Sequence, residues 1–163
     1  KSGGFGNIHP GEDPDLSIRL RAMGYKLCFI PEAFVFHKRR ISFAQFFEQV
    51  YKFGQVRPIL NKWHPNSKKI IYWFPTLFLI GFIVSILLLF INVIEPFLLY
   101  GIYFLSLLIN SLFLTRNITV ALISLIAVCI QFYGYGLGFF KSTLKLMTSK
   151  KSAETIFPSL FFK

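Results

Sequence analysis

Charge is what this sequence has least of. Asp, Glu, Lys and Arg make up only 15% of its 163 residues, where soluble domains carry about a quarter. Acids are scarcer still, with seven Asp and Glu against eighteen Lys and Arg. So little charge excludes a disordered chain and argues against an ordinary soluble globule. Cysteine is almost missing: Cys28 and Cys129 stand far apart, too few for a disulfide framework, and both are expected to be buried thiols. No CxxC or HExxH spacing occurs, so the pattern offers no zinc site. Neither a signal peptide nor an initiating Met opens the chain, which is therefore expected to be the C-terminal part of a longer protein.

What is abundant is hydrophobic, 54% of the chain, including 21 Phe. The charge that exists is unevenly placed. Residues 1–73 carry +7, residues 74–140 are neutral and residues 141–163 carry +4. Three stretches have no charge at all: Ile70–Ile94, Pro96–Thr115 and Asn117–Phe140. Each reaches the roughly 20 residues a helix needs to cross a bilayer core of about 30 Å. Backbone groups in lipid must pair internally, so each stretch is expected to be helical, with spans near 74–94, 97–114 and 118–140. Glu95-Pro96 and Thr115-Arg116-Asn117 supply the breaks. Tyr72 and Trp73 follow Lys68-Lys69, where an aromatic interfacial belt would lie. The alternative is a buried soluble bundle, hard to hide in so small a chain.

Residues 1–57 read as a polar head. Gly3-Gly4-Phe5-Gly6-Asn7 is a glycine-rich loop, and Asp13-Pro14 predicts a helix start with Asp13 as N-cap. Leu16, Leu20 and Met23 share one face of that helix, and Gly24 is placed to end it. Tyr25–Ile30 and Phe34–His37 read as short strands around a Pro31-Glu32-Ala33 turn. A further helix from Ser42 carries the stripe Phe43, Phe46, Phe47, Val50 and Tyr51. That stripe suits either a core face or an interfacial helix, and its place before the first apolar run favours the interface. Residues 58–73 then form an interfacial linker, and residues 141–163 a basic tail.

The acidic cluster Glu12-Asp13-Pro14-Asp15 and the basic cluster His37-Lys38-Arg39-Arg40 are the candidate chemistry. Acid beside base suits a general base facing an anionic leaving group, and arginine forks suit a diphosphate. Each cluster also has a plainer reading, as a helix cap and as a lipid-facing basic patch.

Gly3-Gly4-Phe5, then Gly11 to Leu20 (GEDPDLSIRL), Gly24-Tyr25, Pro31-Glu32-Ala33 and His37 closely resemble, in order and spacing, the C-terminal half of the catalytic domain of family-2 inverting glycosyltransferases. The resemblance spans about residues 1–57. It implies an α/β fold, half of a GT-A domain, followed by transmembrane helices. It makes Asp13 the general base for the acceptor hydroxyl, with Glu12 orienting the acceptor and Asp15 tuning the helix start. It offers His37 as a metal ligand, and Lys38, Arg39 and Arg40 as contacts for the donor diphosphate. Gly4 counts with the substrate-binding residues, as does Gln49. Gln49-Val50-Tyr51-Lys52-Phe53 stands where processive members carry Gln-x-x-Arg-Trp; Lys and Phe in the last two places put a polymer synthase in doubt.

The resemblance further implies Mg²⁺ or Mn²⁺, held mainly by an Asp-x-Asp expected upstream together with the nucleotide pocket, so that these residues alone would be inactive. The partners implied are a nucleotide diphosphate sugar, a lipid-linked or glycan acceptor and membrane lipids, with no nucleic acid. The setting implied is cell-envelope polysaccharide synthesis at a bacterial cytoplasmic membrane. A processive polysaccharide synthase, or a non-enzymatic scaffold or transporter piece with a lipid-binding basic head, are the other readings. Nucleotide sugars require a cytoplasmic head, which Lys62, Lys68 and Lys69 favour. Three crossings would then leave the basic tail outside, against the same rule.

Overall fold

The computed structural model describes residues 2–36 and 42–162. Six α-helices appear among them: α1 (Glu12–Ala22), α2 (Phe43–Trp63), α3 (Phe74–Leu89), α4 (Glu95–Thr115), α5 (Ile118–Thr148) and the short α6 (Ala153–Ile156). Single 3₁₀ turns occupy Pro65–Ser67, Ile70–Trp73 and Pro158–Leu160.

No strand occurs among the described residues, and this overturns the expected α/β fold. Residues 25–30 and 34–36 contain the apolar residues of strands but form no ladder, and Phe36 is 98% exposed. A strand exists only through a neighbouring edge that accepts its N–H and C=O groups. None of the described segments presents one. Cys28, in this same stretch, is exposed rather than buried, as is Cys129.

The tightest packing joins α2 to α5, and glycine makes it possible. A Cβ at Gly54 would fall 2.9 Å from the Phe139 backbone N, and closer still to the Tyr135 carbonyl. A Cβ at Gly138 would run into the Tyr51 carbonyl and lie 3.2 Å from Gln55 N. Gly134 gives way to Val50, where an added Cβ would lie 2.5 Å from its methyl. Missing side chains thus let two backbones touch, as small residues do between membrane helices. Ser142 crosses the same seam, its hydroxyl donating to the Gln55 carbonyl at 2.7 Å. Part of the stripe on α2 is turned toward α5: Phe47 stacks on Tyr133 at 5.9 Å and Val50 is buried, while Phe43 stays exposed. Gly136, on another face of α5, admits Pro75 and Leu79 of α3.

Rings and hydroxyls hold α3, α4 and α5 together. Ser124 donates to Ser111 at 3.1 Å, and Tyr103 lies 6.4 Å from Phe132. Those two contacts set α4 and α5 antiparallel. Phe78 stacks on Phe132 at 4.2 Å, while Tyr100 donates to the Phe78 carbonyl at 2.9 Å. Ring contacts from the α3 side fall on residues 97–104 and 132–139, the end of the α4–α5 pair nearest α2. Three helical segments, Ile70–Leu89, Glu95–Thr115 and Ile118–Thr148, are long and apolar enough to cross a membrane.

The C-terminal segment packs on the head. Phe157 and Leu160 complete a core with Ile8, Val56, Ile59 and Leu60, and His9 N donates to the Leu160 carbonyl at 2.8 Å. An apolar core cannot be shared across a bilayer. The C-terminal segment thus packs directly against the head rather than standing apart from it.

Candidate functional site

A cleft of about 890 Å³ opens where the start of α1 faces α2 and α5. Its floor begins with Gly11, whose φ of 126° is a conformation that favours glycine, and whose missing Cβ leaves room for Val56. Gly11 is the N-cap of α1, so the helix starts one residue before Asp13. This corrects the capping role expected for Asp13. Pro14 fits because the first-turn N–H groups have no helical partner in any case. Glu12 and Asp13 then project from the first turn, where the helix dipole favours negative charge.

The two carboxylates stand in different surroundings. Glu12 Oε1 accepts from His9 Nδ1 at 2.9 Å, while its Oε2 is buried without a hydrogen-bond partner. Burial disfavours its charge, but the backbone N–H groups at the helix start and His9 outweigh that, and its carboxyl lies below the ordinary value. Asp13 is exposed in the cleft and takes no hydrogen bond among the described residues. An ionised carboxylate open to the cleft can accept a proton; a buried carboxylate oxygen without a donor can orient a hydroxyl.

From α2 come Gln49, Lys52, Phe53 and Arg57, and from α5 Tyr135. The Gln-x-x-Lys-Phe segment therefore does face the acidic pair. Lys52 is tied to Glu48 at 2.8 Å, and the Arg57 guanidinium lies 4.4 Å over the Tyr72 ring. Two sequence candidates take other places. Asp15 is a buried joint, 4% exposed, accepting from Arg19 Nε at 2.9 Å and bonded to His64 Nε2 at 2.7 Å. Gly4 does not line the cleft; its carbonyl accepts from Arg19 at 2.6 Å, and Arg19 also holds the Ser2 carbonyl. His37, Lys38, Arg39 and Arg40 lie outside the described residues.

His9, His64 and Tyr135 went unmarked in the sequence. His9 carried one signal, its spacing of three from Glu12; His64 carried none, being 49 residues from its partner. Among the described residues no group of three or more His, Cys, Asp or Glu could hold a metal ion. The ligands expected for Mg²⁺ or Mn²⁺, an upstream Asp-x-Asp and His37, lie outside the described residues.

A family model described as glycosyl transferase family group 2 matches residues 1–141. No curated protein and no solved structure matches the chain.

Proposed function

The chain belongs to glycosyl transferase family group 2, and on that premise we propose that it forms the acceptor side of a membrane-bound, inverting sugar transferase. The donor is a nucleotide diphosphate sugar, and the acceptor is lipid-linked or held close to the membrane. Asp13 takes the proton of the acceptor hydroxyl. The freed oxygen forms a bond to the anomeric carbon from the face opposite the diphosphate, whose C–O bond breaks, so the configuration inverts. Glu12 Oε2 accepts from a second acceptor hydroxyl and sets the angle of attack, while Gln49 approaches the acceptor across the cleft. Lys38, Arg39 and Arg40 would balance the leaving diphosphate, and His37 stays a candidate metal ligand.

The observation that carries this reading is the division of labour at the start of α1: one carboxylate open in the cleft, its neighbour with a buried, unpartnered oxygen. The acceptor is assigned to the membrane because one wall of the cleft, Tyr135, belongs to a helix apolar enough to span. Nucleotide sugars place the head in the cytoplasm. The tail packs against it, so the chain crosses an even number of times. The antiparallel α4–α5 pair suits the two crossings, with α3 held at their head-side end.

Asp13→Asn in the full-length protein tests the assignment. Because Gly11 is the cap, the substitution removes a base without removing a cap. Transfer should fall by at least about 10²-fold, while nucleotide binding and membrane insertion persist. Turnover within a few-fold of wild type would end the general-base role.

A further inference from the structure

A second cavity, of about 550 Å³, shares no lining residue with the cleft. It lies where the end of α2 and the 3₁₀ turn before α3 meet α5. Lys62, Lys68 and Lys69 line it, and none of them makes an ion pair among the described residues. Trp73, Leu146 and Met147 supply apolar walls. Two further lining residues, Asn61 and Thr143, have side-chain oxygens that are buried without any hydrogen-bond partner. Buried polar atoms are nearly always satisfied, so two in one cavity ask for a ligand.

We propose that this cavity binds the headgroup of an anionic phospholipid carrying hydroxyls, of the phosphatidylglycerol class. The phosphate meets the three ammonium groups and accepts from the Thr143 hydroxyl. Asn61 Oδ1 needs a donor, which a headgroup hydroxyl supplies; a choline or ethanolamine cation would instead meet three lysines. The lipid source, rather than a free anion, follows from the apolar walls and from position. Ile70, in the lining, also begins the segment Ile70–Leu89 that is apolar enough to span, so acyl chains can run from the cavity into lipid. The site stands apart from the catalytic reading and survives its failure.

The test uses the full-length protein in detergent, titrated with dioleoyl phosphatidylglycerol, phosphatidylcholine and phosphatidic acid and followed by native mass spectrometry. Wild type should retain phosphatidylglycerol at least tenfold more tightly than phosphatidylcholine. The triple variant Lys62→Gln, Lys68→Gln, Lys69→Gln should lose that margin, and Lys150→Gln with Lys151→Gln should keep it. Asn61→Leu should weaken phosphatidylglycerol severalfold and leave phosphatidic acid, which has no headgroup hydroxyl, unchanged; thermal melts confirm that each variant is folded. Equal retention of phosphatidylcholine, an unaffected triple variant, or displacement of the lipid by millimolar inorganic phosphate would each overturn the proposal.

Discussion

Replacing Gly138 with Ala puts one methyl group where the backbone of α2 already lies. The new Cβ would meet the Tyr51 carbonyl and sit 3.2 Å from Gln55 N. Carbon and carbonyl oxygen pack at about 3.3–3.6 Å, so α2 and α5 must part by roughly 1 Å. A gap of that size forfeits about a quarter to a half of each dispersion contact, worth roughly 0.1–0.2 kcal/mol apiece. If the seam holds some 40–60 contacts, as one buried Leu does, the loss runs from about 1 to 6 kcal/mol, with a central value of about 3 kcal/mol. The central value falls in the overpacking range of roughly 1–3 kcal/mol. Gly54→Ala meets the same seam from the other side and should cost a similar amount. The double variant should cost clearly less than the sum, because helices already parted accommodate the second methyl. Gly101→Ala is the control: nothing lies within 4 Å of its Cβ, and relief of helical glycine should leave stability equal or raise it by up to ~1 kcal/mol. Thermal unfolding of the full-length protein in detergent reads all four, with shifts of about 2–4 °C per kcal/mol. Strict additivity of Gly54→Ala and Gly138→Ala, or a Gly138 variant as stable as the Gly101 variant, would refute the backbone contact.

Three further outcomes are expected. Leu160→Ala should destabilise by about 2–5 kcal/mol, since a fully buried Leu leaves a cavity, and limited proteolysis should then cut near residue 153 well before cutting in α5. Lys151→Cys, in a background with Cys28 and Cys129 replaced, should resist an impermeant maleimide in intact cells and react once they are opened; labelling of intact cells would separate tail from head. Glu12→Gln should flatten the acid limb of stability: a carboxyl held below about 4.5 stabilises above the unfolded value, and that contribution disappears as pH falls through the folded one. An unchanged acid limb would mean that the His9–Glu12 pair contributes nothing.

Local chemistry was legible, and pairing over distance was not. The run from Gly11 to Leu20 pointed to the family because it is a contiguous string, and it carried Glu12 and Asp13 into the cleft. The uncharged runs reappear as α3, α4 and α5 because helix formation in apolar sequence needs no partner from elsewhere in the chain. Residues 25–36 failed as strands because a strand does need one. Asp15 does stand in the first turn of α1, but its bond to His64, 49 positions away, was not legible. The glycines at 134, 136 and 138 invited either a bend or close packing. Only the facing glycine, Gly54, makes the choice, and no periodicity in α5 announces it. Gly11 as cap was hidden for a related reason: the space its missing Cβ leaves is taken by Val56, a residue of α2.

The core between α2 and the C-terminal segment also has a history in time. Val56, Ile59 and Leu60 wait for Phe157 and Leu160, which follow them by about a hundred residues; at a synthesis rate of roughly 5–20 residues per second, that is about 5–20 s. For most of that interval the second wall of the cleft does not yet exist, since Tyr135 is still unmade. Completion of the cleft is therefore a late event in biogenesis, set by the synthesis of α5 rather than by folding of the head. A nascent chain stalled before residue 134 could present Asp13 to solvent, yet it would hold no cleft around it.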